Sequence, residues 1–199
     1  MTSDANRRTI EGYEACARDY AAAVDPKPSA VGEAALRRLA SEMPRGGRAL
    51  EIGSGPGWDA DFLEGLGVAV DRTDVTAAFR ELQAERGHVV TPLDVVEDVL
   101  PGPYEAIVVL CVLQHVERER FDGVLQKIAG ALRPRGVLLA SLREGEGDGW
   151  DHGDSGDYRL VLWSADALHA RLAAAGFDVE WERRHQGNGD WLYLVARRR

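Results

Sequence analysis

The sequence has few cysteines, no long apolar run and no excess of basic residues, and each shortage narrows the range of functions. Only Cys16 and Cys111 occur among 199 residues, and they lie far apart in the chain. Such a pair forms neither a disulfide framework nor a zinc motif. No segment reaches the roughly 20 apolar residues of a membrane span, and the polar N-terminus lacks a signal-peptide core. We therefore expect a cytoplasmic protein with no metal site and no membrane contact.

The charge balance argues against nucleic acid as a partner. Lys and Arg total 24 against 33 Asp and Glu, which gives a net charge of -9 at pH 7. DNA and RNA are held mainly by clustered basic residues that displace counterions from phosphates. The expected partner is therefore a small-molecule substrate, bound by a monomer or a homodimer.

A glycine-rich turn follows the first apolar strand, at residues 51–57. Gly53, Gly55 and Gly57 permit positive φ angles and a close approach of a ligand to the main chain. The segment after Gly57 has the pattern of a helix start, so strand, turn and helix form half of a βαβ unit. No G-K-[ST] follows, which excludes a P-loop, and the order differs from the dinucleotide pattern G-x-G-x-x-G. Taken alone, the turn leaves open another nucleotide or a bare tight turn.

An acidic residue followed by G-x-G-x-G resembles the first motif of the class I, Rossmann-like S-adenosylmethionine-dependent methyltransferases. The resemblance implies S-adenosyl-L-methionine as cofactor, with contacts from Glu51, Gly53, Ser54, Gly55 and Gly57. A Rossmann-like unit also needs a carboxylate about 20 residues downstream, where the second strand ends, to accept the ribose hydroxyls. Asp71 and Asp74 are both candidates. We favour Asp74, together with Val75, because it stands at the strand exit beside Thr76, a suitable helix N-cap. A solvated strand-end aspartate is the alternative.

Asp94 follows the third predicted strand and lies between Leu93 and Val95. This segment resembles the part of the family in which an aspartate accepts the exocyclic amine of adenine and apolar neighbours pack on the ring. The resemblance therefore implies adenine contacts from all three residues. For Asp94 alone, a surface aspartate without a role is the alternative.

The fourth strand leads into Leu113–Val116, which matches the family pattern L-x-H-V beside the methionine part of the cofactor. The resemblance implies cofactor contacts from Cys111 and Gln114. Many members carry a polar or acidic residue where this chain has Cys111. A contact there is therefore expected from the backbone carbonyl and not from the thiol.

Helix and strand patterns alternate along the chain, as an α/β domain requires. We predict one methyltransferase domain over residues 1–199, with an N-terminal helical cap at 1–45 and a Rossmann-like core at 46–199. The predicted core is a doubly wound, mostly parallel seven-stranded sheet with helices on both faces. An antiparallel C-terminal hairpin, at 177–184 and 191–196, closes it.

Two regions are candidates for substrate selection. Tyr13 and Tyr20 lie seven residues apart on the first helix and nearly share a face. In related enzymes such tyrosines reach the cofactor carboxylate or the substrate; simple packing of the helix is the alternative. The polar, glycine-rich residues 143–157 predict a lid loop whose carboxylates favour a cationic substrate. A plain solvated loop is the alternative, and the acidic spacing does not match an EF-hand.

Methyl transfer needs alignment more than acid–base chemistry, and a base helps only when the acceptor must lose a proton. His115, near the cofactor end of strand four, and His152, in the lid loop, are the candidate catalytic bases. A backbone-bonded imidazole is the alternative for His115, and a solvated histidine is the alternative for His152.

The sequence thus predicts transfer of a methyl group from S-adenosylmethionine to a small molecule, for which a secondary metabolite is one candidate and oxygen or nitrogen is the expected acceptor atom. Two rivals remain open. A nicotinamide-dependent oxidoreductase has a different glycine order. A non-catalytic S-adenosylmethionine-binding module or partner subunit keeps the same motifs and lacks an acceptor pocket.

Overall fold

Strands and helices alternate along the part of the chain that the computed structural model describes, residues 3–153, 156–187 and 189–199. The helices are α1 (Asp4–Ala23), α2 (Ala30–Glu42), α3 (Trp58–Gly65), α4 (Ala77–Glu85), α5 (Arg118–Ala131) and α6 (Ala165–Ala174). The strands are β1 (Arg48–Ile52), β2 (Ala69–Asp74), β3 (Val90–Pro92), β4 (Tyr104–Leu110), β5 (Leu132–Arg143), β6 (Asp148–Gly153), β7 (Gly156–Val161), β8 (Phe177–Gln186) and β9 (Asp190–Arg198). None of the described helices is long and apolar enough to cross a lipid bilayer.

Seven strands form one sheet in the order β3-β2-β1-β4-β5-β9-β8. The first five strands in this order, from β3 to β5, are parallel to one another. In contrast, β9 runs antiparallel to both β5 and β8. The predicted mostly parallel sheet with an antiparallel C-terminal hairpin is therefore confirmed.

The centre of the sheet is buried on both faces. Residues 106–109 of β4 are fully buried, as expected of a continuous apolar run in a central parallel strand. Phe121 of α5 and Leu168 of α6 belong to one core cluster. Leu36 of α2 and Leu63 of α3 belong to a second cluster. The two clusters show that helices cover both faces.

The strand order reverses beside β1, which pairs with β2 on one side and with β4 on the other. In open α/β sheets, ligands bind in the crevice at such a switch point, outside the carboxyl ends of the strands. The glycine turn leaves β1 at this place. The fold therefore sets the glycine turn at the position where a nucleotide-type ligand is expected.

The structure differs from the sequence-based expectation in two segments. The predicted cap at 1–45 contains two helices, but α2 packs against the sheet, and α1 is the one that contacts β7 and α4. The predicted lid loop at 143–157 contains the end of β5, all of β6 and the start of β7, and β6 and β7 pair in an antiparallel hairpin. Asp154 of that loop, and Asn188 of the β8–β9 turn, lie outside the described residues.

Candidate active site

A cavity of about 300 Å³ lies at the carboxyl edge of β1, β2 and β4. It is lined by α1, the α1–α2 linker, the glycine turn and the segments that follow β2, β3 and β4. The predicted site residues in its wall are Tyr13, Tyr20, Gly53, Ser54, Gly55, Asp74, Val75, Leu93, Asp94, Val95, Cys111 and His115. Four other predicted residues lie outside the wall: Glu51, Gly57, Gln114 and His152.

The three glycines of the turn have positive φ angles but serve different purposes. A Cβ atom on Gly53 would lie 2.3 Å from Cγ2 of Val112, and one on Gly57 would lie 2.4 Å from Oε1 of Gln83. These two positions need glycine because protein atoms lie against them. A Cβ on Gly55, whose φ is +52°, would meet nothing within 4 Å. Gly55 therefore keeps open space in the cavity wall for a ligand.

The glycine turn is held from behind by residues that no motif marked. The Gln83 side chain donates to Oγ of Ser54 and to the carbonyl of Gly55, both at 2.9 Å. Arg72 in turn donates to Oε1 of Gln83 at 2.9 Å and is paired with Asp61 and Glu64. Both side chains are buried, so the shape of the turn is fixed before any ligand binds.

Asp74 ends β2 at the cavity. Its Oδ2 accepts from the Gly55 N–H at 2.7 Å, and its Oδ1 accepts from the Thr76 N–H at 2.8 Å. Burial raises the pKa of Asp74, although the two backbone N–H groups oppose this shift. The Thr76 side chain also donates to Asp74, and the carboxylate keeps acceptor capacity for a further donor. Asp71, the other candidate, lies away from the cavity, where it accepts from Arg48 and from the Tyr104 hydroxyl at 2.8 Å.

Thr76 is the N-cap residue of α4, as predicted, but its side chain makes no capping hydrogen bond. The Glu14 carboxylate of α1 accepts instead from the backbone N–H groups of Ala77 at 2.5 Å and Ala78 at 2.9 Å. A carboxylate is favoured at the start of a helix, where N–H groups are free. Glu14 therefore anchors α1 beside Asp74.

Glu51 lies behind the glycine turn and not in the cavity wall. Burial raises the pKa of Glu51 to about 8, and a hydrogen bond from Ser54 opposes this shift. Its Oε2 is buried without a hydrogen-bond partner among the described residues. Glu51 therefore does not line the described wall, one of its oxygens remains available to a donor, and the cofactor contact that the resemblance implied stays a prediction.

Asp94 already accepts two hydrogen bonds. Its Oδ1 accepts from the Val96 N–H at 2.8 Å, and its Oδ2 accepts from the Asn6 side-chain amide of α1 at 2.9 Å. Leu93 and Val95 are buried core residues that also line the cavity. An adenine amine that binds Asp94 must therefore share or displace the Asn6 amide.

Cys111 lines the cavity with a left-handed backbone, φ +59°. Burial raises the pKa of its thiol to about 11, so the thiol is neutral, in agreement with a backbone role only. Gln114 is buried, and its Oε1 accepts from the Arg143 N–H at 3.1 Å. Gln114 therefore anchors β5 and does not line the cavity, and its predicted cofactor contact stays a prediction.

His115 is held at both ring nitrogens. Nδ1 lies 2.6 Å from the carbonyl oxygen of Arg159 on β7, and Nε2 lies 3.1 Å from the Tyr13 hydroxyl. Because a carbonyl only accepts, Nδ1 carries the proton and Nε2 accepts from Tyr13. Burial lowers the pKa of His115 to about 4. The imidazole is therefore neutral and positions Tyr13.

Aromatic rings close the cavity from the side of α1. Tyr13 is stacked on Tyr158 of β7, with ring centroids 5.6 Å apart and planes 11° apart. Tyr20 meets Tyr13 edge-on at 5.9 Å and Phe79 of α4 at 5.6 Å. The rings therefore pack α1 onto the body and also line the cavity, while their contact with cofactor or substrate stays a prediction.

The β6–β7 hairpin joins α1 over the cavity, and most of its acidic residues are already paired. Asp157 pairs with Arg8 of α1, Asp148 with Arg159, and Asp151 with Arg143 at 3.4 Å. These carboxylates are neutralised on the outside of the hairpin. The expectation that they attract a cationic substrate therefore has no support at these three positions.

His152 lies on the exposed side of the hairpin. Its Nδ1 is 2.7 Å from Oδ1 of Asp157, and its side chain is 63% exposed. His152 does not line the cavity. The structure thus separates the two candidate bases, and His152 contacts Asp157 at the surface, away from the cavity.

Sequence reasoning missed several residues of the cavity wall, including Asp59, Phe79, Tyr193 and Ser29. Asp59 could have been found, because it stands two residues after the motif. Its acidic character was interpreted only as a helix-start signal. Tyr193 and Ser29 come from β9 and from the α2 N-cap, and only the folded chain brings them to the site.

One group of possible metal ligands occurs among the described residues: Asp61, Glu64 and His88. Nη2 of Arg72 lies 2.7 Å from a carboxylate oxygen of both acidic members. A guanidinium thus already supplies the positive charge that a metal ion would bring.

Comparisons with known proteins place this geometry in context. A family model described as a methyltransferase domain matches residues 18–181. No curated protein matches the chain by sequence. The solved structure of DhpI in complex with SAH shares 25% sequence identity with this chain. The match covers 99% of this chain and 98% of that chain, with a TM-score of 0.75.

Two further solved structures share the fold. The 1,6-didemethyltoxoflavin-N1-methyltransferase of Burkholderia thailandensis, with 1,6-didemethyltoxoflavin and S-adenosylhomocysteine bound, is 19% identical. It covers 100% of this chain and 91% of that chain, with a TM-score of 0.73. The CcbJ methyltransferase of Streptomyces caelestis is 16% identical, covers 96% of this chain and 98% of that chain, and has a TM-score of 0.74.

Proposed function

Because the chain belongs to the methyltransferase-domain family, we propose that it transfers a methyl group from S-adenosylmethionine to a small-molecule acceptor. The observation that carries this proposal is Asp74, a buried carboxylate at the end of β2 that accepts the Gly55 N–H at 2.7 Å within the cavity. This hydrogen bond joins the glycine turn to a carboxylate, which is the kind of hydrogen-bond acceptor that the ribose hydroxyls require.

The residues of the wall fit this cofactor in size and chemistry. A cavity of about 300 Å³ is at the small end of ligand sites. Asp74 would accept the ribose hydroxyls, and Asp94 would accept the adenine amine in place of the Asn6 amide. Leu93 and Val95 would pack on the ring. The backbone at Gly55 and Cys111 would line the amino-acid part.

S-adenosylmethionine, when bound, supplies a methyl group already activated on a sulfonium. The protein then has to hold the acceptor behind that methyl group and exclude water. Tyr13, Tyr20 and Phe79 exclude water from the α1 side. His115 contributes by orienting Tyr13 and not by removing a proton, since its Nε2 is occupied and its pKa is about 4.

Asp59, Tyr193 and the α1–α2 linker also line the cavity and are not needed for the proposed adenosine contacts. They support an acceptor pocket and make a bare binding module a weaker interpretation. The proposal includes an oxygen or nitrogen acceptor, a cytoplasmic location and a monomeric or homodimeric state. Light scattering on a size-exclusion column and cell fractionation would test the last two.

Calorimetric titration tests the cofactor, and transfer of a labelled methyl group tests the reaction. We expect binding of S-adenosylmethionine and S-adenosylhomocysteine, no binding of NAD, and transfer of label to at least one member of a metabolite panel. Binding of NAD alone would contradict the proposal. Binding of S-adenosylhomocysteine without any methyl transfer, over a broad panel of amines and hydroxyl compounds, would favour the non-catalytic module.

A further inference from the structure

Asp59 stands apart from the other carboxylates of the cavity wall. It lies in the first turn of α3, lines the cavity, and makes no hydrogen bond or ion pair with any residue in the part of the chain that the structure describes. Asp74 and Asp94 each accept at least two hydrogen bonds, and Asp25 accepts from the Lys27 N–H at 2.9 Å. Among the acidic side chains of the described wall, Asp59 is thus the one whose two carboxylate oxygens accept no hydrogen bond.

No positively charged group in the described part of the chain lowers the pKa of Asp59. Tyr20, Cys111 and Tyr193 lie near enough for the charge of Asp59 to raise their pKa values. Burial raises the pKa of Asp59 itself to about 6, so the carboxylate is largely ionised at neutral pH. Lys27 lines the same cavity, but its side chain is exposed and has no contact with Asp59.

Asp59 is half-buried, and a poorly solvated carboxylate without a partner is costly for the empty protein; a cation bound beside it removes that cost. Tyr193 lines the same cavity, and an aromatic ring is a further group that attracts cations. On the premise of the proposed function, we propose that Asp59 is the counter-ion for an ammonium group bound in this cavity. That group belongs either to the amino-acid part of the cofactor or to an amine acceptor.

Asp59 takes the place of the lid carboxylates in the expectation that acidic residues favour a cationic substrate. The lid carboxylates were expected to favour a cationic substrate, but the arginines already neutralise Asp148, Asp151 and Asp157. Asp59 meets the same requirement inside the cavity, where its charge is not screened by an arginine. The preference for a cation therefore rests on one half-buried residue and not on the acidic loop.

The test compares Asp59→Asn with wild type by calorimetry, using S-adenosylhomocysteine and methylthioadenosine. The second probe shares the adenosine part but lacks the amino acid. If Asp59 binds the cofactor ammonium, the variant weakens S-adenosylhomocysteine about tenfold or more and leaves methylthioadenosine unchanged. If Asp59 binds an amine acceptor, both affinities stay unchanged. In that case benzylamine binds the wild-type complex with S-adenosylhomocysteine more tightly than benzyl alcohol does, and Asp59→Asn abolishes the difference.

Asp166→Asn is the matched control, because it removes a carboxylate from the first turn of α6, away from the cavity. We expect it to change none of these affinities. The melting temperature of ligand-free Asp59→Asn should be equal to or above that of wild type, since an uncompensated, poorly solvated charge is gone. A lower melting temperature would indicate a structural role and contradict the proposal.

The two proposals fail in different ways. If wild type binds neither S-adenosylhomocysteine nor methylthioadenosine, the proposed function is wrong. If wild type binds both but Asp59→Asn changes neither affinity nor the preference for benzylamine, the proposed function stands and the role of Asp59 is wrong.

Discussion

At the residue scale, Asp74 and Asp71 offer a matched pair three positions apart on one strand. Asp74 faces the cavity, whereas Asp71 pairs with Arg48 and Tyr104 outside it. Asp74→Asn should weaken S-adenosylhomocysteine binding about 10-fold to 100-fold, because hydrogen bonds to a charged group contribute about 1.5–3 kcal/mol. Asp71→Asn should leave the affinity within about twofold of wild type. Calorimetry on both variants checks this, and equal losses in the two would contradict the ribose assignment.

The buried neutral state of His115 predicts a pH dependence of stability. Its pKa in the folded protein is about 4, below the ordinary value of 6.5. Between these values the unfolded chain binds a proton that the folded protein does not bind, so stability falls as pH decreases from about 6.5 to 4. The loss attributable to this residue approaches about 3 kcal/mol at the acidic end.

Urea unfolding of wild type and His115→Gln at pH 7 and pH 4.5 isolates this contribution. The difference between the two proteins should shrink as pH falls, since only the wild type loses the contribution of His115. Glu51 and Asp59 have raised pKa values and change stability in the opposite direction, but they are common to both proteins. A difference that is constant with pH would show that His115 is protonated in the folded state.

The residues that could be predicted are those whose role follows from position in a local motif. Gly55, Asp74 and Asp94 are examples, because strand ends and turns fix where they point. Glu14 and Gln83 could not be found, since each acts on a residue distant in the chain: Glu14 on Ala77, and Gln83 on Ser54. No spacing in the sequence marks a capping or bracing contact made only after folding.

At the scale of elements, α1 and β7 lie so close together that their contact requires a glycine at position 12. A Cβ atom on Gly12 would lie 2.4 Å from the carbonyl oxygen of Asp157. Gly12→Ala should therefore push α1 away from the hairpin, and overpacking of this kind costs about 1–3 kcal/mol. We expect faster proteolysis within α1 and weaker binding of S-adenosylhomocysteine, measured by limited digestion and calorimetry.

Gly123→Ala is the control for this prediction. Gly123 lies in α5, where a Cβ atom would meet nothing within 4 Å. The same substitution should there raise the free energy of unfolding by about 0.5–1 kcal/mol, because alanine favours a helix interior. If Gly12→Ala were stabilising by the same amount, the close contact between α1 and β7 would not exist in solution.

The strands of the sheet were predictable because their apolar patterns are strong, as in the continuous apolar run at residues 106–109 of β4. The β6–β7 hairpin was not. Its strands carry glycine, aspartate and histidine in place of alternating apolar residues, so the segment has the composition of a loop. Contacts with α1 hold it, through Arg159 to Thr9 at 3.0 Å and the stacked rings of Tyr13 and Tyr158. Tertiary contacts therefore determine this element.

At the scale of the whole molecule, the predicted methyltransferase family and fold are confirmed, since the family match spans residues 18–181 and the DhpI structure matches 99% of this chain with a TM-score of 0.75. The acceptor could not be predicted. The residues that the α1–α2 linker, α3, β4 and β9 contribute to the cavity wall share no motif.

The architecture also predicts where the molecule opens for the cofactor. The sheet is buried between helices, but α1 has only Thr9 and Ala17 fully buried and lies over the cavity. An element with few buried contacts opens at lower free energy than the core. Adenosine bound at Asp94 has to share or displace the Asn6 amide of α1, so we expect α1 to be the part that moves.

Hydrogen exchange measured with and without S-adenosylhomocysteine tests this prediction. At a ligand concentration 100 times the Kd, opening that releases the ligand costs about 2.7 kcal/mol more, so exchange in α1 should slow about 100-fold. The same slowing is expected for β7, because Arg159 and Tyr158 move with α1. Local exchange at the exposed edge strand β8 should not change, since β8 lies at the far edge of the sheet from the cavity. Equal slowing in β8 and α1 would mean that the cofactor enters without a separate opening of α1.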